Sequence, residues 1–200
     1  MKKPTLASFT APRLSFLVIA SLLIAACSGD LTAPPAATQV PTDASKSLVG
    51  AVSGVYTFTV NPSVSTVLNF GQSNLALPAS SICDLQTSGY GPTTWNNACT
   101  PATVPITITA VVWNAETDHP RVDFQPALRF NPKTNAMLTL VVSNAATLNS
   151  MAVLQYCNAM NVCVNESLTD ATLATSVVSD VSGWKVSRRI KHFTGYMVAE

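Results

Sequence analysis

The chain has 200 residues, with 11 Lys and Arg, 10 Asp and Glu, and 2 His. Charged residues make up only 10% of the chain, whereas hydrophobic residues make up 48%. The cations form no clustered excess, which excludes the electrostatic footprint of a nucleic-acid-binding protein. We therefore expect no nucleic acid among its partners.

The first 26 residues have the pattern of a bacterial secretory signal. Three basic residues open it: Lys2, Lys3 and Arg13. The apolar run 14–26 that follows is too short to span a bilayer comfortably, but it has the length of the hydrophobic part of a signal peptide. We predict that residues 1–26 are a signal peptide and are removed on export.

The signal ends in a lipobox. Ala25 and Ala26 stand directly before Cys27, and a branched aliphatic residue stands three positions before it. We expect Cys27 to receive a diacylglyceryl group and an acyl chain such as palmitate, which together anchor the chain stably in a membrane. Ser28, where an Asp would favour the inner membrane, indicates the outer membrane. The alternative is a plain secretory signal with an incidental cysteine.

The predicted location is therefore the cell envelope, with the body in the periplasm or at the cell surface. Residues 27–47 are predicted to be the lipidated N-terminus and a flexible tether, because small residues and prolines bury too little surface to fold. Residues 48–200 have the length of one domain. Without the signal, eight basic residues face ten acidic ones, so the net charge is near −2.

The body alternates apolar and polar residues with the period of β-strands, and Gly, Pro, Asn and Asp separate the runs. The predicted strands are 55–60, 105–113, 137–142, 151–157, 162–165, 175–181, 184–192 and 193–198. One short helix, 167–173, is predicted with Ser167 as its N-cap. The pattern predicts an all-β fold, a single antiparallel β-sandwich behind the signal peptide and the disordered tether.

Four cysteines remain once Cys27 is assigned to the lipid. An even number in an exported chain predicts disulfides, for which three connectivities exist. We favour Cys83–Cys99 and Cys157–Cys163, because the second pair flanks a turn between two strand-like runs, where facing residues come within disulfide range. A metal site is the alternative, but the spacings match no zinc pattern. We expect neither a metal nor a cofactor.

No motif of a known catalytic class is found, so we expect no catalytic residues and a protein that is not an enzyme. Two features are candidate ligand contacts. Tyr90 and Trp95 lie in the first disulfide loop, where they either stack on a sugar or pack over the disulfide. The second feature is a set of basic residues on one face of the strand 184–192, either a solvated face or a contact for an anionic glycan or lipid: Lys185, Arg189 and Lys191.

Two segments of the second half form a recognisable pattern. Residues 126–130 read Pro-Ala-Leu-Arg-Phe, and residues 192–196 read His-Phe-Thr-Gly-Tyr. They resemble two strands of the ZU-type β-sandwich domain, named for zonula occludens proteins, Unc-class netrin receptors and ankyrins, and especially its bacterial lipoprotein relatives. Segments 74–79 and 105–109 look like earlier strands of that domain. Thr194 stands where the family has serine, and the family's opening glycine pair is missing.

The resemblance implies a role in protein interaction and scaffolding, carried by a non-catalytic, lipid-anchored domain with an unknown envelope protein as its partner. A glycan-binding module is the alternative. A subset of the family cuts itself before the motif's serine, so the resemblance also implies a remote alternative, in which Thr194 attacks the carbonyl of Phe193 with help from His192. We favour a structural role, with His192 and Tyr196 in the closing edge strand, because cleavage would remove that strand.

Overall fold

The computed structural model describes residues 51–115, 117–142, 151–180 and 183–199, which all belong to the compact unit Asp43–Glu200. The predicted signal peptide, Cys27 and the tether lie outside the described residues. The elements in chain order are β1 Val52–Val60, β2 Thr66–Phe70, β3 Ser73–Leu77, α1 Leu85–Ser88, β4 Ile106–Trp113, β5 Arg121–Gln125, β6 Ala136–Val142, β7 Val153–Cys157, β8 Cys163–Val164, β9 Ser176–Asp180, β10 Gly183–Ile190 and β11 Gly195–Ala199.

The strands form two antiparallel sheets. The six-stranded sheet has the order β1-β4-β5-β11-β7-β8, and the five-stranded sheet has the order β2-β3-β6-β10-β9. Residues from both sheets contribute to one hydrophobic core. The predicted all-β sandwich is therefore confirmed.

Alternate residues of the central strands build this core. In β4, Ile108, Ala110 and Val112 are buried, as strand geometry requires for every second residue. Phe124 of β5 stacks on Phe193, with ring centroids 4.5 Å apart. Burying an aromatic side chain of this size contributes about 2–3 kcal/mol, so Phe193 is part of the structural core.

Each predicted strand overlaps an observed one, with ends that differ by at most three residues within the described part of the chain. The alternation does not predict β2, β3 and β5, which have only five residues each. Length alone does not explain this, because β7, β9 and β11 also have five residues and overlap predicted strands.

The predicted helix at 167–173 is wrong. Two 3-10 turns occupy this part of the chain: Glu166–Leu168 and Ala171–Leu173. Asn165 and Asp170 cap them, and Ser167 does not. The side chain of Asp170 accepts a hydrogen bond from the backbone two residues ahead, and such local bonds compete with a continuous helix.

Two expectations about the family motifs are also corrected. The segment 126–130 is no regular strand, because β5 ends at Gln125 and Pro126 has no N–H to donate to a ladder. Arg129 and Phe130 make only isolated bridges there. The last strand, β11, lies between β5 and β7 in the middle of its sheet and is not an edge strand.

Candidate functional site

Charged and aromatic side chains collect at the end of the sandwich where β10 stops. Most of them are buried or half-buried, which is unusual for ionisable groups. The buried polar cluster comprises Trp95, Arg129, Glu166, Asp170, Arg188, Lys191 and His192, and Tyr90, which is 39% exposed, lies at its rim.

His192 is fully buried between two aromatic side chains. Its ring stacks on Trp95 with centroids 3.7 Å apart, and the ring of Tyr156 meets it edge-on at 4.6 Å. Nε2 lies 3.0 Å from Oε1 of Glu166, so an ionised carboxylate requires the proton on Nε2. Nδ1 has no hydrogen-bond partner among the described residues. The imidazole is therefore fixed in one orientation.

Glu166 joins His192 to a buried cation. Its other carboxylate oxygen accepts a hydrogen bond from Arg188, whose guanidinium is buried and also donates to the carbonyl of Leu154. Burial raises the pKa of Glu166, but the hydrogen bond with His192 and the charge of Arg188 together lower it by a larger amount. The net pKa is therefore below its usual value. The ionised pair keeps the charge of Arg188 compensated inside the protein.

Lys191 follows the last residue of β10 and is also buried. Its ammonium donates to the carboxylate of Asp170 and to the side-chain oxygen of Asn96. The hydrogen bond from Lys191 is the main cause that lowers the pKa of Asp170 to about 2. These contacts tie the first disulfide loop and the 3-10 turns to the end of β10.

The first disulfide loop, between Cys83 and Cys99, is held over this end by a buried arginine. Arg129 donates from Nη1 to the carbonyl of Ser88 at 2.6 Å and from Nη2 to the carbonyl of Asn97. A fully buried guanidinium here satisfies backbone carbonyls of an irregular loop, which have no strand partner.

Tyr90 adds a contact between this loop and the segment 192–196. Its hydroxyl donates to the carbonyl of Phe193 at 2.7 Å. Burial, with smaller contributions from Tyr156 and Glu166, raises the pKa of Tyr90 to about 12. The hydroxyl therefore remains a neutral donor.

Thr194 has the only aliphatic hydroxyl of the segment 192–196, and its Oγ1 is buried without a hydrogen-bond partner among the described residues. Its neighbours are anchored: Phe193 N–H donates to the carbonyl of Leu128, and the carbonyl of Thr194 accepts from Phe124 N–H. The hydroxyl of Tyr196 donates to the carbonyl of His192 at 2.7 Å. The motif thus packs as a hydrogen-bonded core segment.

The structure brings some of the predicted ligand contacts together and separates the others. Trp95 and Lys191 meet in the buried polar cluster with Tyr90 at its rim, and each contacts other residues of the chain. Lys185 and Arg189 lie on the outer face of β10, because Val186 and Arg188 face inward. The predicted common basic face is therefore wrong for Lys191: β10 ends at Ile190, and the alternation does not continue past it.

Both predicted disulfides are present. Cys83 pairs with Cys99, and Cys157 pairs with Cys163, with Cα atoms 5.6 and 4.0 Å apart. Cys157 and Cys163 face each other across β7 and β8, the hairpin geometry that favours this connectivity. Closing the longer loop contributes roughly 3 kcal/mol and the shorter one roughly 2 kcal/mol.

Comparison with known proteins assigns no family. The chain matches no protein-family model, no curated protein and no solved structure. The resemblance to the ZU-type domain therefore stays a prediction. Within the described residues, no helix is long and apolar enough to cross a membrane, and no three His, Cys, Asp or Glu side chains gather as metal ligands.

The sequence alone does not reveal the acidic members of the buried polar cluster. Glu166 and Asp170 stand in a polar turn, where carboxylates are usually solvated. The sequence contains one weak signal for them. Each carboxylate follows an Asn or Thr, residues typical of capped turns, and such turns restrict the local backbone. Nothing local indicates that Arg188 and Lys191 are their partners.

A second feature lies at the far edge of the six-stranded sheet. Four large apolar side chains between residues 160 and 168 are exposed, and we name them the exposed hairpin patch: Met160 (79% exposed), Val162 (54%), Val164 (47%) and Leu168 (83%). They follow one another along the β7–β8 hairpin and the first 3-10 turn. From the sequence alone, this short apolar segment predicts a β-strand and gives no sign that its side chains are exposed.

The hairpin that carries the patch is rigidly built. The disulfide Cys157–Cys163 closes it, and the side-chain oxygen of Asn158 accepts hydrogen bonds from the backbone of Met160 at 2.9 Å and Val162 at 3.0 Å. Asn161 has a φ of 59°, a left-handed conformation that asparagine tolerates. The exposed side chains are therefore presented on a fixed backbone.

Proposed function

We propose that this chain is an exported bacterial lipoprotein whose β-sandwich is a non-catalytic interaction domain of the cell envelope, related to the ZU-type domains. The observation that carries the proposal is the exposed hairpin patch. Monomeric proteins rarely expose contiguous apolar patches larger than a few hundred Å², and such patches mark surfaces that bind partners.

The construction of the hairpin supports binding over chance exposure. A disulfide and a capped turn restrict the backbone of the patch before any partner arrives, which lowers the entropy lost on binding. Met160 and Leu168 are the two most exposed large hydrophobic side chains in the described residues. The flexible, polarizable methionine side chain adapts to an apolar cleft of a partner protein.

Charge favours a protein over an anionic membrane surface as the occupant of the patch. No Lys or Arg occurs from residue 134 to residue 184, whereas Glu166, Asp170 and Asp180 fall in this stretch. Anionic lipid surfaces attract polybasic segments. A patch without cations gains nothing from that attraction, so an uncharged cleft of an envelope protein is the better match.

The leader and the cysteines support the location. The lipobox at Cys27 and Ser28 predicts a lipid anchor in the outer membrane. Two disulfides fit the oxidising conditions outside the cytoplasm.

The experiment places a photo-cross-linking amino acid at position 168 of the full chain in cells that export it. We expect a discrete cross-linked partner protein from this position. The matched control places the same cross-linker at Val178, an exposed apolar residue of β9 in the other sheet. The same products from both positions, or none from position 168, would contradict a binding role for the patch.

A self-cleaving domain is a second candidate, favoured by one contact. The hydroxyl of Tyr90 donates to the carbonyl oxygen of Phe193, the atom that would gain negative charge if Oγ1 of Thr194 attacked. Against it, cleavage would detach β11, a central strand paired on both sides. We expect an intact chain, and mass measurement tests this. A fragment ending at Phe193, absent in Thr194→Ala, would establish cleavage.

A further inference from the structure

The edge strand β1 differs from the other sheet edges of this protein. It is the longest strand in the described residues, with nine residues, and it pairs with β4 on one side only. The other edges are short, with two residues in β8 and five in each of β2 and β9. Proteins commonly protect long edges with charges or prolines. Val52–Val60 contains neither.

We propose that β1 is a dimer interface and pairs antiparallel with β1 of a second copy of this chain. The sequence of the strand is self-complementary about Tyr56. A two-fold axis there places Val55 opposite Thr57 of the second copy, and the reciprocal pair follows by symmetry. Opposed β-branched side chains stabilise antiparallel strands. The bulge between Val52 and Gly54 lies outside this central part.

The same register fits the inner face of the sheet. Tyr56 of each copy lies at the two-fold axis, and its own ring already covers Gly54 within the same chain. Tyr56 and Phe58 pack on the hydrophobic core but remain partly exposed, because β1 ends the sheet. A second copy would complete their burial.

Charge also favours a second copy. No Asp, Glu, Lys or Arg occurs between Lys46 and Asp84, and residues 99–115, which include β4, have none either. Two copies therefore meet without like-charge repulsion at this edge, and a highly charged partner finds no complementary group. Strand pairing of this length buries less than the roughly 1,200 Å² of a standard interface, so we expect a reversible dimer.

The first test measures association of the full chain in detergent micelles by sedimentation over a range of concentrations. We expect a monomer–dimer equilibrium for the wild type. Thr57→Lys brings two ammonium groups together at the interface and should raise the dissociation constant at least about tenfold. Thr107→Lys is the matched control, since Thr107 is also exposed but lies on β4, away from the edge.

The control should dimerise like the wild type. A wild-type chain that remains monomeric at every concentration overturns the proposal, and so does an equal effect of Thr57→Lys and Thr107→Lys. Neither outcome bears on the exposed hairpin patch, which lies at the opposite edge of the sheet.

The second test checks the register. Chains with Val55→Cys are mixed with chains carrying Thr57→Cys under mild oxidation. In the proposed register these two positions face each other about 4.5–5.5 Å apart, within disulfide range. We expect the mixture to cross-link and each single variant to cross-link far less. Equal cross-linking of the single variants overturns the register.

Discussion

At the scale of single residues, the end of the sandwich where β10 stops contains both hydrogen-bonded and unpaired buried polar atoms. Glu166, Arg188, Lys191 and Asp170 satisfy one another. Oγ1 of Thr194, in contrast, is buried without a partner among the described residues. A paired buried group contributes little net stability but is costly to break, whereas an unpaired one is costly to keep.

Replacing Thr194 with valine therefore should leave stability unchanged or raise it. Valine has the same shape and removes a hydroxyl that has lost its hydrogen bonds to water. The control is Thr139→Val, because Oγ1 of Thr139 lies 2.9 Å from the hydroxyl of Ser187. We expect a loss of about 1 kcal/mol there. Urea unfolding compares them, and a larger loss for Thr194→Val would show that its hydroxyl is bonded.

Acid should weaken the tie between Asp170 and Lys191. The pKa of Asp170 is lowered from 3.8 to about 2, so its contribution is fully present above pH 4 and is lost as the pH falls toward 2. At neutral pH it amounts to roughly 1–2 kcal/mol after solvent screening. Asp170→Asn should lower the unfolding free energy at pH 7 by this amount and lessen its fall between pH 4 and 2. Parallel pH curves for both proteins would refute the assignment.

At the scale of the elements, the start of β11 depends on a glycine. Gly195 lies between Asp123 on β5 and Cys157 on β7. The carboxylate of Asp123 accepts hydrogen bonds from Arg121 and from the indole of Trp113, and it lies directly over Gly195. The close approach explains why this position of the central strand has no side chain.

Gly195→Ala should therefore destabilise the sandwich. A Cβ at this position would clash with Oδ1 of Asp123, because it would lie closer than packed atoms approach. We expect a loss of about 2 kcal/mol or more from overpacking. Introducing Gly195→Ala into Asp123→Ala should cost less than in the wild type, because the clashing oxygen is gone. Equal losses in thermal unfolding would mean that the contact is unimportant.

At the scale of the whole molecule, the six-stranded sheet has two different edges. One edge, β8, belongs to the exposed hairpin patch, and the other, β1, is the proposed dimer interface. Pairing through β1 would leave a patch free at each end of the joined sheet. A dimer would then bind two partner molecules, or one repeated partner more tightly through effective concentration.

The predicted lipid anchor at Cys27 concerns the location of the whole molecule, because it would attach the chain to a membrane. Cys27→Ser should abolish incorporation of a fatty-acid analogue and release the chain from the membrane fraction, because no thiol remains to accept the lipid. Cys83→Ser removes a cysteine from the folded body and should leave labelling intact. Undiminished labelling of Cys27→Ser would show that the lipobox is not used.

Features that depend on neighbouring residues were predictable from the sequence. The two-residue period of strands such as β4 and β10 is local, so alternation located them and predicted the fold class. The pairing of Cys157 with Cys163 followed from a turn of five residues between them. Alternation did not predict β2, β3 and β5, although β7, β9 and β11 have the same length and overlap predicted strands.

Contacts between distant groups follow from the packing of the two sheets and were not predictable from local patterns. Alternation along β11 is the same at an edge as in the middle of a sheet, so its central position was not predictable. In the sequence, Lys191 continues the alternating basic residues of its strand. In the structure β10 ends at Ile190, and the side chain of Lys191 lies in the buried polar cluster. Glu166 contacts His192 from 26 residues away, and Tyr90 contacts Phe193 from 103 residues away. Such contacts depend on the packing of whole sheets, whereas periodicity records only the local environment of each strand.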